Sequence, residues 1–190
     1  MKLVAIGASY GGLYALMDLL GALTTDFPCP IVIAQHRSAE DGDEQRLGQV
    51  LSRYSALPVA DVEHDGVLVP AHVYLAPADY HVIVEEDRFE LTVDDLVQYS
   101  RPSIDVLFES AARAYGRDVV GVLLTGYGRD GTAGMAAIRD AGGVTIAQDP
   151  ESALQPTMPR NAVEAGVAAE VLPLDAIGPR LIELSRVTAR

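Results

Sequence analysis

Leu3-Val4-Ala5-Ile6-Gly7-Ala8-Ser9-Tyr10-Gly11-Gly12 is an apolar run that breaks into a glycine turn, and Leu13, Leu16, Leu19, Leu20 and Leu23 follow at helical spacing. Strand, glycine turn and helix in that order form the first unit of a parallel α/β sheet. The turn matches a dinucleotide-binding fingerprint whose second glycine has become Ser9. In the nucleotide-binding version that glycine lets bare backbone approach a pyrophosphate, and a carboxylate about 20 residues on takes the ribose. Here the next predicted strand, Pro30 to Gln35, ends in His36. Both nucleotide ligands are therefore replaced. A hydroxyl and an imidazole stand at the carboxyl ends of two predicted adjacent strands, where open α/β sheets place their sites. Nucleophile plus base is the first hypothesis.

Alternating β-rich and helical patterns continue along the chain and predict a doubly wound, mainly parallel α/β sheet. A helix is expected from about Asp41 to Tyr54 with an acidic start, through Leu47, Val50, Leu51 and Tyr54. From Val59 to Thr92 short strands are expected at Val67–Val69, Val73–Ala76, Val82–Glu85 and Arg88–Thr92, the last two an antiparallel hairpin turning near Glu86-Asp87. This region reads as an insertion or edge feature. Ser103 should cap a helix along Ile104, Leu107, Phe108, Ala111, Ala112 and Tyr115, ended by Gly116 in the left-handed conformation. Val119–Leu124 has the continuous apolar character of a central strand. The loop Thr125-Gly126-Tyr127-Gly128-Arg129-Asp130-Gly131 leads into a helix from Thr132 to Ala141, and Val144–Ala147 is the next strand. Pro159 opens a short helix, and Asp175 caps the last one.

At 190 residues the chain suits one domain, 1–190, with a substantial core. A hydrophobic fraction of 49% and a charged fraction of 22% are those of an ordinary globule. The net charge of −13 argues against a nucleic-acid partner, whose phosphates require a basic face. No stretch has the roughly 18 apolar residues of a membrane span, and Asp18 with the polar Ser9-Tyr10 interruption speaks against a secretion signal. The single Cys29 fits a reducing compartment and a buried structural role. A cytoplasmic protein is the expectation.

Serine attacks only after a base takes its proton, and an imidazole serves only when a third group fixes its tautomer. That carboxylate should lie at another strand end. Asp130, in the glycine-rich loop after the central strand, is the first candidate, and Asp79 the second. Singly, Ser9 and Asp130 could be helix caps and His36 a satisfied loop histidine; together, at three predicted strand ends, they define a triad. The turn also matches the Gly-x-Ser-x-Gly elbow of α/β-hydrolases. The serine follows the first strand, however, and the order Ser, His, Asp differs from that fold. Gly126 and Gly128 could form an anion nest, but the neighbouring Asp130 would repel a phosphate, so this reading is set aside. His64, His72 and His81, among Asp61, Glu63, Asp65 and Asp79, read as edge residues in preference to a metal site. No metal or organic cofactor is expected.

Gly7-Ala8-Ser9-Tyr10-Gly11-Gly12, Gln35-His36, Val73 to Pro77, Arg101 to Phe108, Leu124 to Met135, Ala147-Gln148 and Met158-Pro159-Arg160 together resemble, in order, the catalytic domain of the chemotaxis protein-glutamate methylesterase family (CheB). The resemblance implies a serine hydrolase that demethylates glutamyl methyl esters on chemoreceptor helices, some members also deamidating glutamines. It implies Ser9 as nucleophile, His36 as base and Asp130 as orienting carboxylate. The oxyanion donors expected are the Tyr10 N–H and one from Tyr127-Gly128. This chain has Tyr10 where the family usually has threonine, and Tyr127 where it usually has methionine, so two phenols should narrow or re-polarise the pocket. After His36 the charged Arg37-Ser38-Ala39-Glu40-Asp41 departs from a proline-rich stretch. Family members often carry a receiver domain ahead of the esterase. The few residues before Ser9 leave no space for one, so activity without phosphorylation, or control by a separate receiver or signalling protein, is expected. Readings from other classes are a non-catalytic signalling-protein binding module on the same scaffold and a nucleotide-binding oxidoreductase.

Overall fold

The computed structural model describes residues 1–37 and 44–187. The chain begins β1 (Leu3–Ala8), α1 (Gly12–Gly21), β2 (Ile31–Gln35), α2 (Glu44–Tyr54), β3 (Val59–Asp61), β4 (Val73–Leu75), β5 (His81–Glu85) and β6 (Arg88–Thr92). It continues α3 (Ile104–Tyr115), a short 3-10 turn (Gly116–Asp118), β7 (Val119–Leu123), α4 (Thr132–Asp140), β8 (Val144–Gln148), α5 (Thr157–Glu164), β9 (Glu170–Leu172) and α6 (Leu174–Val187).

Seven strands form a parallel sheet in the order β3-β4-β2-β1-β7-β8-β9. β1 is central and buried along its whole length, because alternate residues meet helices on opposite faces. Val4 and Ile6 pack with Leu16, Leu19 and Leu20 of α1 and with Ile177 and Leu181 of α6. Leu3 and Ala5 pack with Leu107 and Phe108 of α3, Met135 and Ile138 of α4 and Met158 of α5. At roughly 25 cal/mol per Å² of apolar surface, these two layers supply most of the driving force for folding. The order reverses at β1, with β2 on one side and β7 on the other, so the loops after β1, β2 and β7 open on one crevice.

The expected doubly wound sheet with an antiparallel hairpin is present: β5 and β6 pair His81 with Thr92 through to Glu85 with Arg88, and Val82, Val84 and Phe89 join the α3 side of the core. Several boundaries differ. Val73–Leu75 is a strand of the main sheet, not part of the insertion, since it pairs with β2 and is covered on both faces. Val67–Val69 makes only one bridge, Val67 to Arg88. β3 and β9 are edge strands of three residues each, too short to carry a periodic signal. The helix expected from Pro159 begins two residues earlier, at Thr157. Asp175 lies inside the first turn of α6, one residue past its start. Gly116 has φ 53° but ψ −127°, so α3 passes directly into the 3-10 turn without a left-handed helical cap. The proposed acidic start of α2 at Asp41, and most of the charged stretch after His36, lie outside the described residues.

Candidate active site

Ser9 leaves β1 in the turn that starts α1. Its N–H donates to Thr125 O (3.0 Å), and its carbonyl accepts from Gly12 N (2.8 Å) and Gln35 Nε2 (2.8 Å). Gly11, with φ 82°, turns the chain into the helix in a conformation that would strain a side-chain-bearing residue. Gly126 approaches Ser9 so closely that a Cβ there would lie 2.6 Å from Ser9 Cβ. The serine is thus clamped between the ends of β1, β2 and β7.

His36 continues β2 by donating its N–H to Ala8 O (2.9 Å). Its Nε2 lies 2.7 Å from Asp130 Oδ2. Asp130 also accepts from Ser103 Oγ (2.9 Å), Ile104 N (2.7 Å), Asp105 N (2.9 Å) and its neighbour Gly131 N (3.1 Å). Burial raises its carboxyl pKa, but the bond from His36, the Asp105 and Ile104 amides and the His36 charge outweigh burial and hold it below 3.8. An ionised carboxylate has no proton to give, so the shared proton sits on Nε2 and the Nδ1 lone pair is left available. Side-chain exposure is 1% for Asp130 and 15% for His36, so the carboxylate is sealed while the ring can still be reached.

Ser9, His36 and Asp130 therefore lie after three neighbouring strands, with His36 bonded to Asp130. Asp79, the second carboxylate candidate, is exposed in a turn at φ 61°. Among the described residues Ser9 Oγ makes no hydrogen bond, and His36 Nδ1 pairs instead with Ser100 Oγ at 3.4 Å. Nucleophile–base bonds often close only when substrate binds.

The amides expected to hold an oxyanion are open: among the described residues the Tyr10, Tyr127 and Gly128 N–H groups meet no protein acceptor. Gly126 N, by contrast, is committed to Gln155 O (3.0 Å), which removes it from an anion nest. The Tyr10 and Tyr127 rings, 60% and 59% exposed, contact each other with centroids 5.5 Å apart and form an aromatic wall beside Ser9. His81 is buried and neutral in bonding pattern: Nδ1 accepts from Ser103 N (3.2 Å), so Nε2 carries the proton toward Asp95 O (3.1 Å). His64 Nδ1 accepts from Leu91 N, and His72 Nδ1 bonds Pro70 O. Among the described residues no group of three or more His, Cys, Asp or Glu is arranged to hold a metal ion.

Three positions have roles that the sequence reading did not assign. Gln35 binds the carbonyls of Ser9 and His36, joining the two turns (2.8 and 3.1 Å). Gln148 does the same across the crevice, accepting from Thr125 N (2.9 Å) and donating to Ser152 O (3.1 Å). The signal was there in Ile33-Ala34-Gln35 and Ile146-Ala147-Gln148, the same tripeptide ending two strands. Asp105 caps α4 from α3 by accepting from Gly131 N and Gly134 N, both at 2.8 Å. Burial first, and the Asp130 carboxylate further, overcome those two amide bonds and push its carboxyl up to about 6.

This is a doubly wound parallel α/β domain with serine, histidine and carboxylate gathered where the strand order reverses. The chain belongs to the CheB methylesterase family, whose model matches residues 4–181. It is 45% identical to the protein-glutamate methylesterase FrzG of Myxococcus xanthus over 95% of this chain and 54% of that protein. It is 38% identical to a putative protein-glutamate methylesterase/protein-glutamine glutaminase of Leptospira interrogans over 96% of this chain and 94% of that one. The crystal structure of the Thermotoga maritima CheB methylesterase catalytic domain matches with a TM-score of 0.92 at 36% identity, covering 96% of this chain and 98% of that one. The chain spans about half the length of FrzG and of several other curated relatives it matches. Among the described residues no helix is long and apolar enough to cross a membrane.

Proposed function

We propose that residues 1–190 form a single methylesterase catalytic domain that hydrolyses glutamyl methyl esters on the cytoplasmic helices of chemoreceptors, with glutamine deamidation as a second reaction of the same site. The observation that carries this reading is the His36–Asp130 bond of 2.7 Å beside a serine clamped at the end of β1. Ser9 Oγ attacks the ester carbonyl as its proton passes to His36 Nδ1, and ionised Asp130 supports the imidazolium through Nε2–H. The oxyanion is held by the Tyr10 N–H and by Tyr127 or Gly128 N–H. His36 returns the proton to the departing methoxide, which leaves as methanol. Water, deprotonated by the same nitrogen, then cleaves the acyl-enzyme and restores Ser9. A glutamine side chain follows the same course with ammonia leaving. Family membership and the names of the similar proteins support this substrate class; a reaction on cytoplasmic receptor helices would proceed in the cytoplasm. Release of labelled methanol from methyl-labelled receptor is the test: steady release by the purified chain supports the reading, and none by a folded sample with accessible Ser9 rejects it.

A further inference from the structure

We infer that Ser100 is a positioning residue for the His36 imidazole, holding Nδ1, the ring nitrogen that Asp130 leaves free, from a strained turn built for that purpose. This rests on Ser9 and His36 acting as nucleophile and base.

Ser100 Oγ lies 3.4 Å from Nδ1, in the direction opposite to the Asp130 contact. The ring is thereby held at both nitrogens. Val97 and Ser100 exchange backbone hydrogen bonds (3.2 and 2.9 Å), and the residues between them, Gln98 and Tyr99, have φ 50° and 64°. Two consecutive left-handed residues suit a tight two-residue turn, but glycine or asparagine is the usual occupant. Neither stands here. Strain of this kind persists only where the surroundings enforce it, and the enforcement is visible. Arg101 Nη1 bonds the carbonyls of Val93 and Asp94 (2.9 and 3.0 Å), and buried His81 ties Asp95 O to Ser103 N. The segment is pinned on both sides of the turn, and the turn delivers a hydroxyl to the imidazole.

A hydroxyl suits that place because it both donates and accepts. Before substrate binds, Ser100 O–H donates to the Nδ1 lone pair and keeps the ring facing the crevice. Nδ1 has one lone pair, so when substrate brings Ser9 to bonding distance the Ser100 O–H swings off and the Ser9 O–H takes its place; once the proton has passed to Nδ1, the Ser100 oxygen accepts a share of the new Nδ1–H. Its own proton stays on its oxygen throughout, so Ser100 orients the base and takes no part in bond making.

The test compares Ser100→Thr with the near-isosteric Ser100→Val, with Ser100→Ala alongside, each checked for folding by circular dichroism. The readouts are the imidazole nitrogen-15 spectrum and methanol release. The valine and alanine variants should shift the His36 Nδ1 resonance toward that of an unbonded nitrogen and lower kcat about three- to tenfold, the range of one neutral hydrogen bond. KM should change less than about twofold, since ester binding is untouched. Threonine should restore both readouts. An unmoved Nδ1 resonance with unchanged kcat in folded valine and alanine variants overturns the inference, as does a loss confined to KM. Ser9→Ala, run in parallel, separates the two levels. If it remains active the nucleophile assignment and this inference fall together; if it is inactive while Ser100→Val matches the wild type, this inference fails alone.

Discussion

Three of the helices that begin around the crevice differ in what meets their amino termini. Asp130 closes α3 by accepting from Ile104 N and Asp105 N, and Asp105 closes α4 by accepting from Gly131 N and Gly134 N. No side chain caps α1, which starts from Gly11 with the Tyr10 N–H open. Each helix start carries about half a positive charge. At α3 that charge is already neutralised by a fixed carboxylate, which it keeps ionised to orient His36. At α1 it is left open, and in the proposed reaction it would meet the negative charge that exists only while Ser9 is bonded to a tetrahedral carbon. One device, used filled and unfilled, separates the orienting part of the site from the part that would stabilise the transition state.

Removing the attacking atom should have the largest effect. Ser9→Ala and His36→Gln are expected to lower methanol release by up to about a millionfold, the scale seen when such a residue is deleted from a serine protease, with the thermal unfolding profile of Ser9→Ala nearly unchanged. More than a tenth of wild-type turnover in either would break the assignment.

Converting the filled α3 terminus should cost less turnover and more stability. Asp130→Asn is expected to reduce kcat by about ten-thousandfold, because an amide cannot hold the Nε2–H tautomer. It also places an N–H donor among five hydrogen-bond donors, at a cost of roughly 1–3 kcal/mol in denaturant unfolding. A silent Asp130→Asn alongside a crippled Asp79→Asn would move the third member of the triad.

The α4 cap is distinguishable by pH. The folded pKa of Asp105 is raised from 3.8 to about 6, so the native state binds more protons than the unfolded chain between these values. Stability from this group therefore falls as pH rises through that window and stays low above it. Asp130 has the opposite sign: its lowered pKa contributes stability above 3.8 that is lost only as pH falls below it. Asp105→Asn keeps an oxygen for the Gly131 and Gly134 amides and removes the titration. Its stability relative to wild type should rise by roughly 1–3 kcal/mol between pH 4 and pH 6.5. A difference that is flat with pH would show that Asp105 is not held in this state.

The smallest effect concerns the strained turn. Gln98→Gly should relieve the left-handed penalty and stabilise the fold by up to about 1 kcal/mol in thermal unfolding, offset in part by glycine's greater freedom when unfolded. A clear loss of stability would mean that Gln98 makes a compensating contact.

The doubly wound alternation was legible because β1, β2 and β7 are nearly continuous apolar runs whose ends coincide with chemically distinctive residues. Ser9, His36 and Asp130 could be chosen without coordinates, since each follows such a run and each has a role the other two require. β3 and β9 were not legible: three-residue edge strands owe their existence to the neighbouring strand rather than to their own pattern. Asp105 escaped notice because it lies among Ile104, Leu107 and Phe108, and its partners are backbone amides some 26 residues away. Ser100 was invisible for a related reason. Its significance depends on two left-handed residues, neither of them glycine, and on a histidine 64 positions earlier. Local pattern reveals what a residue can do, whereas its partner across the crevice reveals what it does.

The most direct test is to react the purified chain with a fluorophosphonate and locate the adduct by peptide mass spectrometry, in wild type and in His36→Gln. The account predicts one adduct, on Ser9, formed rapidly in wild type and nearly abolished when His36 is replaced. An adduct on Ser100 in place of Ser9, or labelling of Ser9 at the same rate without His36, would contradict it.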